Sequence, residues 1–553
     1  MMIMMGRSLN ELFEGKVLTW REAAGVVVFV VVMAILQSLH SLINRVWWEP
    51  KKLQRIMEKQ GWKGPPFRLF VGNMADVMRF REREMAKELS SIRDFTFTAR
   101  LHPQYALFSS TYGDKSFFFQ GDQLRIFISD PHLVKEVLLN ELGNYYRPEG
   151  SILHKIIPLV GRGLANLNGE EWVMHRRILD PAFRVETIKG MVGTMVIAAE
   201  SMMETWEQRI KDRKGSIEIE VTEDMRIITA DTISRTAFGS SYTKGQQVFE
   251  GINKLRSTFV EASNNPLFWM SGYRFLPTAI NRKIAKLKRE NDETIKHVIQ
   301  SRKELAKLGK DAYGNDLLGL MLIAADEDHV KAANGTKHQL TTQDLVEECK
   351  HFFFGGYETM SSFLTWTMLM LAEYPEWQEC ARTEILKVCG PKNDMDASKL
   401  NQLKIVGMIL NEVHRHFTSV LQISRVAKKD MQLGDNFVPK GLSIEIPLLH
   451  IHHDPRLWGE DAWQFNPNRF ANGVSKACQH PQAFIPFSFG PRHCIGQHFG
   501  MMESKIVVAS VLLRFQLSVS PNYKHCPTTL LGFIPSPKTG VQLIVENLKP
   551  NVL

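Results

Sequence analysis

The chain has 553 residues, 44% of them hydrophobic, and a formal net charge of +9. That is ample apolar material for a large core, and the lack of long low-complexity tracts or tandem repeats excludes a disordered or solenoid protein. Lys and Arg are spread too widely for a nucleic-acid footprint, so acidic protein surfaces and anionic membrane lipid are the expected electrostatic partners, and nucleic acid is not.

After a short tail (1–22), residues 23–43 read "AAGVVVFVVVMAILQSLHSLI". The stretch is uncharged at its centre and about as long as the roughly 20 residues needed to cross hydrocarbon. Gln37, Ser38 and His40 weaken its far end, but no small-residue cleavage site follows it. Arg45, Trp47 and Trp48 come instead, and paired tryptophans suit a membrane interface. Residues 45–68 carry Arg45, Lys51, Lys52, Arg55, Lys59, Lys63 and Arg68 against Glu49 and Glu58. In front of the segment, Arg7, Lys16 and Arg21 are balanced by Glu11, Glu14 and Glu22. This asymmetry predicts a single-pass anchor with everything beyond it in the cytoplasm. The six cysteines form no CxxC pair and read as free thiols in a reducing compartment.

Residues 44–74 are expected to be a basic, Pro-rich linker, with Pro65 and Pro66 as a stiff elbow. Residues 75–553 then read as one mainly helical body with small β-sheets, the clearest β-like runs being 124–130 and 541–548. One helix stands out, beginning near Thr341 or Thr342 and stopped by Pro375, with Thr341 and Asp344 spaced as a capping box. It is apolar nearly all round and should be buried. Its Gly355 and Gly356 each cost roughly 1 kcal/mol in a helix interior, which predicts either a packing notch or a local bulge that lets the helix approach a flat ligand. Glu358 and Thr359 follow immediately as proton donors in an apolar setting.

Near the C-terminus, "PFSFGPRHCIGQHFG" (486–500) surrounds Cys494 with glycines and an arginine, which a space-filling thiol does not need. "FSFGPRHCIG" (487–496) fits F-x-x-G-x-R-x-C-x-G at every fixed position. The chain thereby resembles the cytochrome P-450 family of haem-thiolate monooxygenases. "GGYET" (355–359), "EVHR" (412–415), "FNPNRF" (465–470) and "WVMHR" (172–176) are similar to the family's other motifs and occur in its order. The resemblance covers about residues 62–550.

It implies a haem b held by the Cys494 thiolate, with Phe487, Gly490, Arg492 and Gly496 shaping the loop. Trp172, Arg176, Arg425 and Arg492 are expected toward the haem, and His452, from "HIHHDPRLWG" (450–459), toward a propionate. Glu412, Arg415 and Arg469 are implied to form a buried structural triad. Thr359 is implied to hydrogen-bond dioxygen, and Glu358 to relay protons to it.

The C-terminal text is similar to one plant clan whose members oxidise cytokinins, gibberellins, brassinosteroids, triterpenoids and fatty acids. The implied function is hydroxylation of a small lipophilic plant metabolite, hormone or terpenoid-like, using O2. The chain contains no flavin or nicotinamide motif, so electrons are expected from an NADPH-cytochrome P-450 reductase at the endoplasmic reticulum membrane. Arg492 and Lys505 are the expected docking charges. A haem-thiolate isomerase or dehydratase that does not use O2, and a non-enzymatic haem sensor, are the competing readings. Where the family commonly has Leu-Tyr-Pro-Pro after the Arg415 position, this chain has "HFTSVLQIS" (416–424), and a loss of stiffness beside the substrate is expected there. Segments 267–277, 419–424 and 528–535 are the expected substrate-side regions. Tyr357, Met360 and Asn468 also depart from common residues without touching the Glu358–Thr359 pair.

Overall fold

The computed structural model describes residues 20–148, 152–212, 215–239, 242–270, 272–307, 313–314, 316–326, 340–391 and 394–548. Most of the expected N-terminal tail lies outside these residues.

The apolar segment forms helix α1 (Trp20–Ile43), which runs through one π-helical turn (Asn44–Trp48) directly into α2 (Glu49–Glu58). The helix from Ala24 to Glu58 is, among the described residues, the one long and apolar enough to cross a membrane. Its most apolar 18 residues have a mean hydropathy of 2.4, and none is buried. The linker expected over 44–74 is therefore helical in its first half. Pro50 sits just after the π-helical turn, and Leu53 and Met57 of α2 are buried in the body. Pro65 and Pro66 do lie in non-helical chain.

Among the described residues twelve strands make four small sheets: β1 (Phe117–Gln120), β2 (Gln123–Phe127), β3 (Tyr145–Tyr146), β4 (Ser216–Glu220), β5 (Ile423–Ala427), β6 (Met431–Leu433), β7 (Asn436–Val438), β8 (Ser443–Ile446), β9 (Phe515–Val519), β10 (Pro527–Leu530), β11 (Ile534–Pro537) and β12 (Gln542–Asn547). The largest sheet has the order β1-β2-β8-β5-β3, with β2 and β8 parallel. It carries the smaller apolar core, into which Leu53 and Met57 plug. Both β-like runs read from the sequence are strands, as β2 and β12.

The larger core is built from helices. Those that position the site are α3 (Gly169–Leu179), α4 (Val221–Phe238), α5 (Tyr242–Ser263), α6 (Ala279–Lys307), α7 (Thr342–Glu373), α8 (Lys404–His416) and α9 (Gln497–Leu512). Helix α7 is the expected central one. Thr341 caps it, with Asp344 N–H donating to Thr341 Oγ1 at 3.2 Å and Thr341 N–H to Asp344 Oδ2 at 2.8 Å. Its 32 residues span about 48 Å at 1.5 Å each. It stays α-helical through Gly355 and Gly356, so the bulge is not formed. The glycines act by their missing side chains: a Cβ at 356 would stand 2.9 Å from Ile233 of α4, whereas one at 355 would meet nothing within 4 Å.

Candidate active site

Residues 485–496 fold back on themselves between the sheet and α9. Cys494 N–H donates to Phe487 O at 2.8 Å, and His493 N–H to Gly490 O at 3.1 Å. Gly490 has φ +76°, and a Cβ there would lie 2.2 Å from Leu138 O, so the turn admits no side chain at this position. Phe487 packs edge-on against His414 of α8 at 4.8 Å.

Cys494 keeps an exposed surface, yet protein surrounds it closely enough that burial pushes its thiol above the ordinary range. Its free surface therefore faces an interior space. A hydrogen bond from the Gly496 backbone and the charge of Arg176 pull the thiol back down. A sulfur so placed becomes a thiolate when a metal ion coordinates it.

Around the loop lies a cluster of guanidinium groups. Arg492 is buried over the Trp172 ring, 4.8 Å from its centroid. It donates to Leu164 O (3.4 Å), Leu167 O and Asn168 Oδ1 (3.3 Å), all neutral acceptors. Burial and the neighbouring Arg147, Arg425 and Arg176 push it down to about 8. Burial alone pushes Arg147 to about 10, and burial opposed by Glu445 brings Arg425 to about 9. Arg176 donates to Asp180 Oδ1 at 2.6 Å and His493 O at 2.9 Å. The buried Nε atoms of Arg147 and Arg492 have no hydrogen-bond partner among the described residues. So many crowded, under-neutralised cations fit a dianion, and the two propionates of a haem b meet that need beside a thiol ligand.

Sequence reasoning missed Arg147. It follows Tyr145–Tyr146 in an ordinary stretch, and its N–H donates to Asn168 Oδ1 at 2.8 Å. His452 is a correction in the other direction. Its carbonyl accepts from Arg415 at 2.9 Å and its Nε2 from Ile485 N–H at 3.3 Å, so it sits with the structural network rather than the arginine cluster.

Glu412, Arg415 and Arg469 lie together in that network. Arg415 grips Glu412 with two bonds of 2.7 and 2.8 Å, and donates to the carbonyls of His452, Ala462 and Gln464. Arg469 Nε lies 3.5 Å from Glu412 and its guanidinium pairs with Asp461. Burial raises Glu412, but Arg415 outweighs it and holds the carboxyl at about 2.

On the opposite side, Thr359 Oγ1 donates to Gly355 O at 2.6 Å, beside the open face left by Gly355. The next residue, Met360, lies against Gly500 of α9, its Sδ 2.8 Å from where a Cβ would stand. This brings the Thr359 turn close to the helix that leaves the cysteine loop. Glu358 is buried and turned toward α4 and α5, with Arg256 Nη1 at 3.4 Å. Burial raises its carboxyl in spite of Arg256 and Arg226.

The proline-free segment 416–424 is not slack. Phe417 stacks on Trp366 of α7 at 4.3 Å and on Phe97 at 5.1 Å. Leu421 N–H donates to Phe533 O at 3.0 Å, joining this segment to the β10–β11 hairpin. Gln422 Oε1 is bonded by His102 Nε2 at 2.5 Å and Gln104 Nε2 at 3.0 Å. Arg492 and Lys505, expected on a docking face, both turn inward, the latter to Leu400 O at 2.8 Å. The surface beside the loop is instead a cleft of about 760 Å³ lined by residues including Phe489, Gly490, His493 and Gln497.

Residues 90–544 match the protein-family model for cytochrome P450. The chain is 38% identical to "Cytochrome P450 CYP72A616" of Paris polyphylla, over 91% of this chain and 95% of that protein. It is 37% identical to a cytokinin hydroxylase of Arabidopsis thaliana (94% and 97% covered). It is 35% identical to a 7-deoxyloganic acid hydroxylase of Catharanthus roseus (94% and 99% covered).

Proposed function

The chain belongs to the cytochrome P450 family, and from that membership we propose that this haem-thiolate monooxygenase hydroxylates a small lipophilic plant metabolite, hormone or terpenoid-like. Electrons come from NADPH-cytochrome P450 reductase, and the body stands on the cytosolic face of the endoplasmic reticulum. The observation that carries the reading is the Cys494 thiol set beside a cluster of four guanidinium groups, in which Arg147 and Arg492 keep buried Nε atoms without a partner among the described residues. Two relatives are hydroxylases by name, one of cytokinin and one of 7-deoxyloganic acid, which supports a small-metabolite substrate.

Haem b, held through Cys494, supplies the oxygen chemistry that places one oxygen atom in a C–H bond while the other leaves as water. Arg492, Arg176, Arg425 and Arg147 would hold its propionates, and the Trp172 ring packs against the Arg492 guanidinium. Gly490 lets the loop turn tightly, and the Gly496 backbone N–H tempers the sulfur's charge. The Thr359 hydroxyl, which donates to Gly355 O, can swing its proton toward dioxygen in the space that Gly355 leaves open. Glu358, raised toward neutrality by burial, can hold a proton between Arg256 on the outer side and Thr359 on the inner. The apolar stretch 23–43 of the N-terminal helix serves as anchor. Exposed Leu69, Phe70, Leu267, Phe275 and Leu276 form the apolar side of the body that meets lipid. The cleft beside the cysteine loop, with Lys476 exposed next to it, is the reductase face.

The test is product formation in membranes containing the protein and a plant reductase, with gibberellins, brassinosteroids, a cytokinin, triterpenoids and fatty acids. One added oxygen on one class, absent without NADPH, is the expected result. Product formed equally without NADPH, or no product from any class with a reduced carbon monoxide complex that reports thiolate ligation, would sink the substrate reading. Thr359→Ala should keep NADPH oxidation while lowering product per NADPH by about tenfold or more.

A further inference from the structure

Helix α7 carries a second group of buried polar side chains two to three turns before Thr359, which the oxygen chemistry does not use. Glu347, Glu348, Lys350 and His351 follow one another where an apolar helix face would be expected, and Glu348 is 1% exposed. Lys350 pairs with Asp292 of α6 and with Glu347, each at 2.9 Å, whereas Glu347, Glu348 and His351 meet the loop 161–168, which leads into α3. Arg162 N–H donates to Glu347 Oε2 at 2.8 Å, Leu164 N–H to Glu348 Oε2 at 3.2 Å, and Ala165 N–H to His351 Nε2 at 3.3 Å. Glu348 Oε1 also meets His175 Nδ1 of α3 at 2.6 Å, and both side chains are buried. Two glycines make this approach possible. A Cβ at Gly161 (φ +76°) would lie 2.1 Å from Glu347 O, and one at Gly163 2.6 Å from His351 Cβ and 2.7 Å from Glu348 Oε2.

The other edge of the same loop holds Arg492. The carbonyls of Leu164 and Leu167 and the side chain of Asn168 are the acceptors that fix its guanidinium, two residues from Cys494. Leu164 is thus gripped twice, its N–H by Glu348 and its C=O by Arg492. A carboxylate–histidine couple buried between two helices is often only a structural tie. This one is different because the backbone it grips presents its opposite face to a cation of the haem cluster.

We propose that Glu348, seated by His175, is a positioning residue for Arg492: by holding loop 161–168 against α7 it sets how closely Arg492 approaches the haem propionates, and so tunes haem retention and reduction potential. The inference rests on the reading that the arginine cluster takes propionates. Loosening the loop lets Arg492 withdraw, which leaves the propionate charge less neutralised. The uncompensated negative charge favours ferric over ferrous haem, and the reduction potential falls.

The experiment uses the full-length, haem-loaded protein in detergent. Haem release to a scavenger globin, and the reduction potential by spectroelectrochemistry, are measured for wild type, Glu348→Gln, Arg492→Lys and the double variant. Glu348→Gln should release haem about tenfold faster, the usual scale for an outer-shell partner, and lower the potential in the same direction as Arg492→Lys. The double variant should shift little further than the larger single one, because both act through one contact. Gly163→Ala, which presses on Glu348 from the loop side, should reproduce the effect and stands in if Glu348→Gln does not accumulate. Wild-type release rate and potential in variants that show only a lower melting temperature would overturn the proposal and leave Glu348 a tie between helices. Additive shifts in the double variant would overturn it too. A wild-type chain that takes up no haem would overturn the propionate reading itself, and this inference with it.

Discussion

Arg415 and Arg492 are both buried arginines in strongly motif-like settings, and they are treated in opposite ways. Arg415 meets a bidentate carboxylate, three carbonyls and the His416 ring, so its charge and its donors are satisfied within the chain. Arg492 meets only neutral acceptors, keeps an unpartnered Nε among the described residues, and is crowded by three further arginines. A cation that serves the fold is neutralised by the fold, whereas one that serves a ligand is left short of negative charge. The first arrangement is finished when the chain folds; the second is finished only by what it binds.

The largest effect expected from breaking this contrast is at Arg415. Arg415→Ala strands the Glu412 carboxylate and should cost about 3–5 kcal/mol. Little folded, haem-binding protein should be recovered, and near-normal yield with an unchanged melting temperature would erase the distinction. Arg492→Met should do the reverse. The haem-free melting temperature should hold or rise, since an under-neutralised cation is removed, while haem release accelerates at least tenfold. A collapse of the fold comparable to Arg415→Ala would place both arginines in one class.

Acid separates the two regions next. Burial holds His416 and His102 down to about 4, and His414 and His452 to about 3. The unfolded chain therefore binds protons that the folded chain refuses, and stability falls as pH drops from about 6.5. Glu412, depressed to about 2 by Arg415 against the pull of burial, adds a loss as pH falls from about 4.5 toward 2. Melting temperature should decline steadily from pH 7 to 5 and more steeply below 4.5. A curve flat down to pH 5 would contradict the neutral histidines. The smallest effect belongs to the rim of the structural network: Asp461 is 41% exposed where it meets Arg469. Asp461→Asn should shift stability by no more than about 1 kcal/mol in urea unfolding.

The parts legible in the sequence were those whose chemistry needs particular side chains at fixed spacing. The Cys494 loop, the Glu412–Arg415–Arg469 network and the capped helix from Thr342 are all of this kind. What escaped was built from backbone. The Leu164 and Leu167 acceptors join the site through carbonyls, which any residue type supplies, and Arg147 is tied in through its own backbone N–H to Asn168 Oδ1. His452 was misplaced for the same reason, since a carbonyl contact to Arg415 leaves no mark in the text. The Gly355–Gly356 pair left a packing notch and a bulge both open, because the sequence shows the cost of glycine but not the Ile233 side chain that needs the room. Segment 416–424 looked loose because proline is a visible stiffener, and stacking on Trp366 together with the Gln422 bonds is not. The basic run after Ile43 suggested a linker, though Leu53 and Met57 recur at a helical spacing within it.

That last feature has a mechanical consequence. Helix from Trp20 runs through the π turn at 44–48 and ends with Leu53 and Met57 seated in the body, leaving no swivel between the two. The body is keyed to its shaft like an indexed wheel, and each residue added within the 44–48 turn would rotate it by about 100° about that axis. Length and azimuth are thus set together: a one-residue insertion hardly changes the height of the body but turns a different flank downward. Insertions of one, two or four residues there would dial the molecule around its own mast.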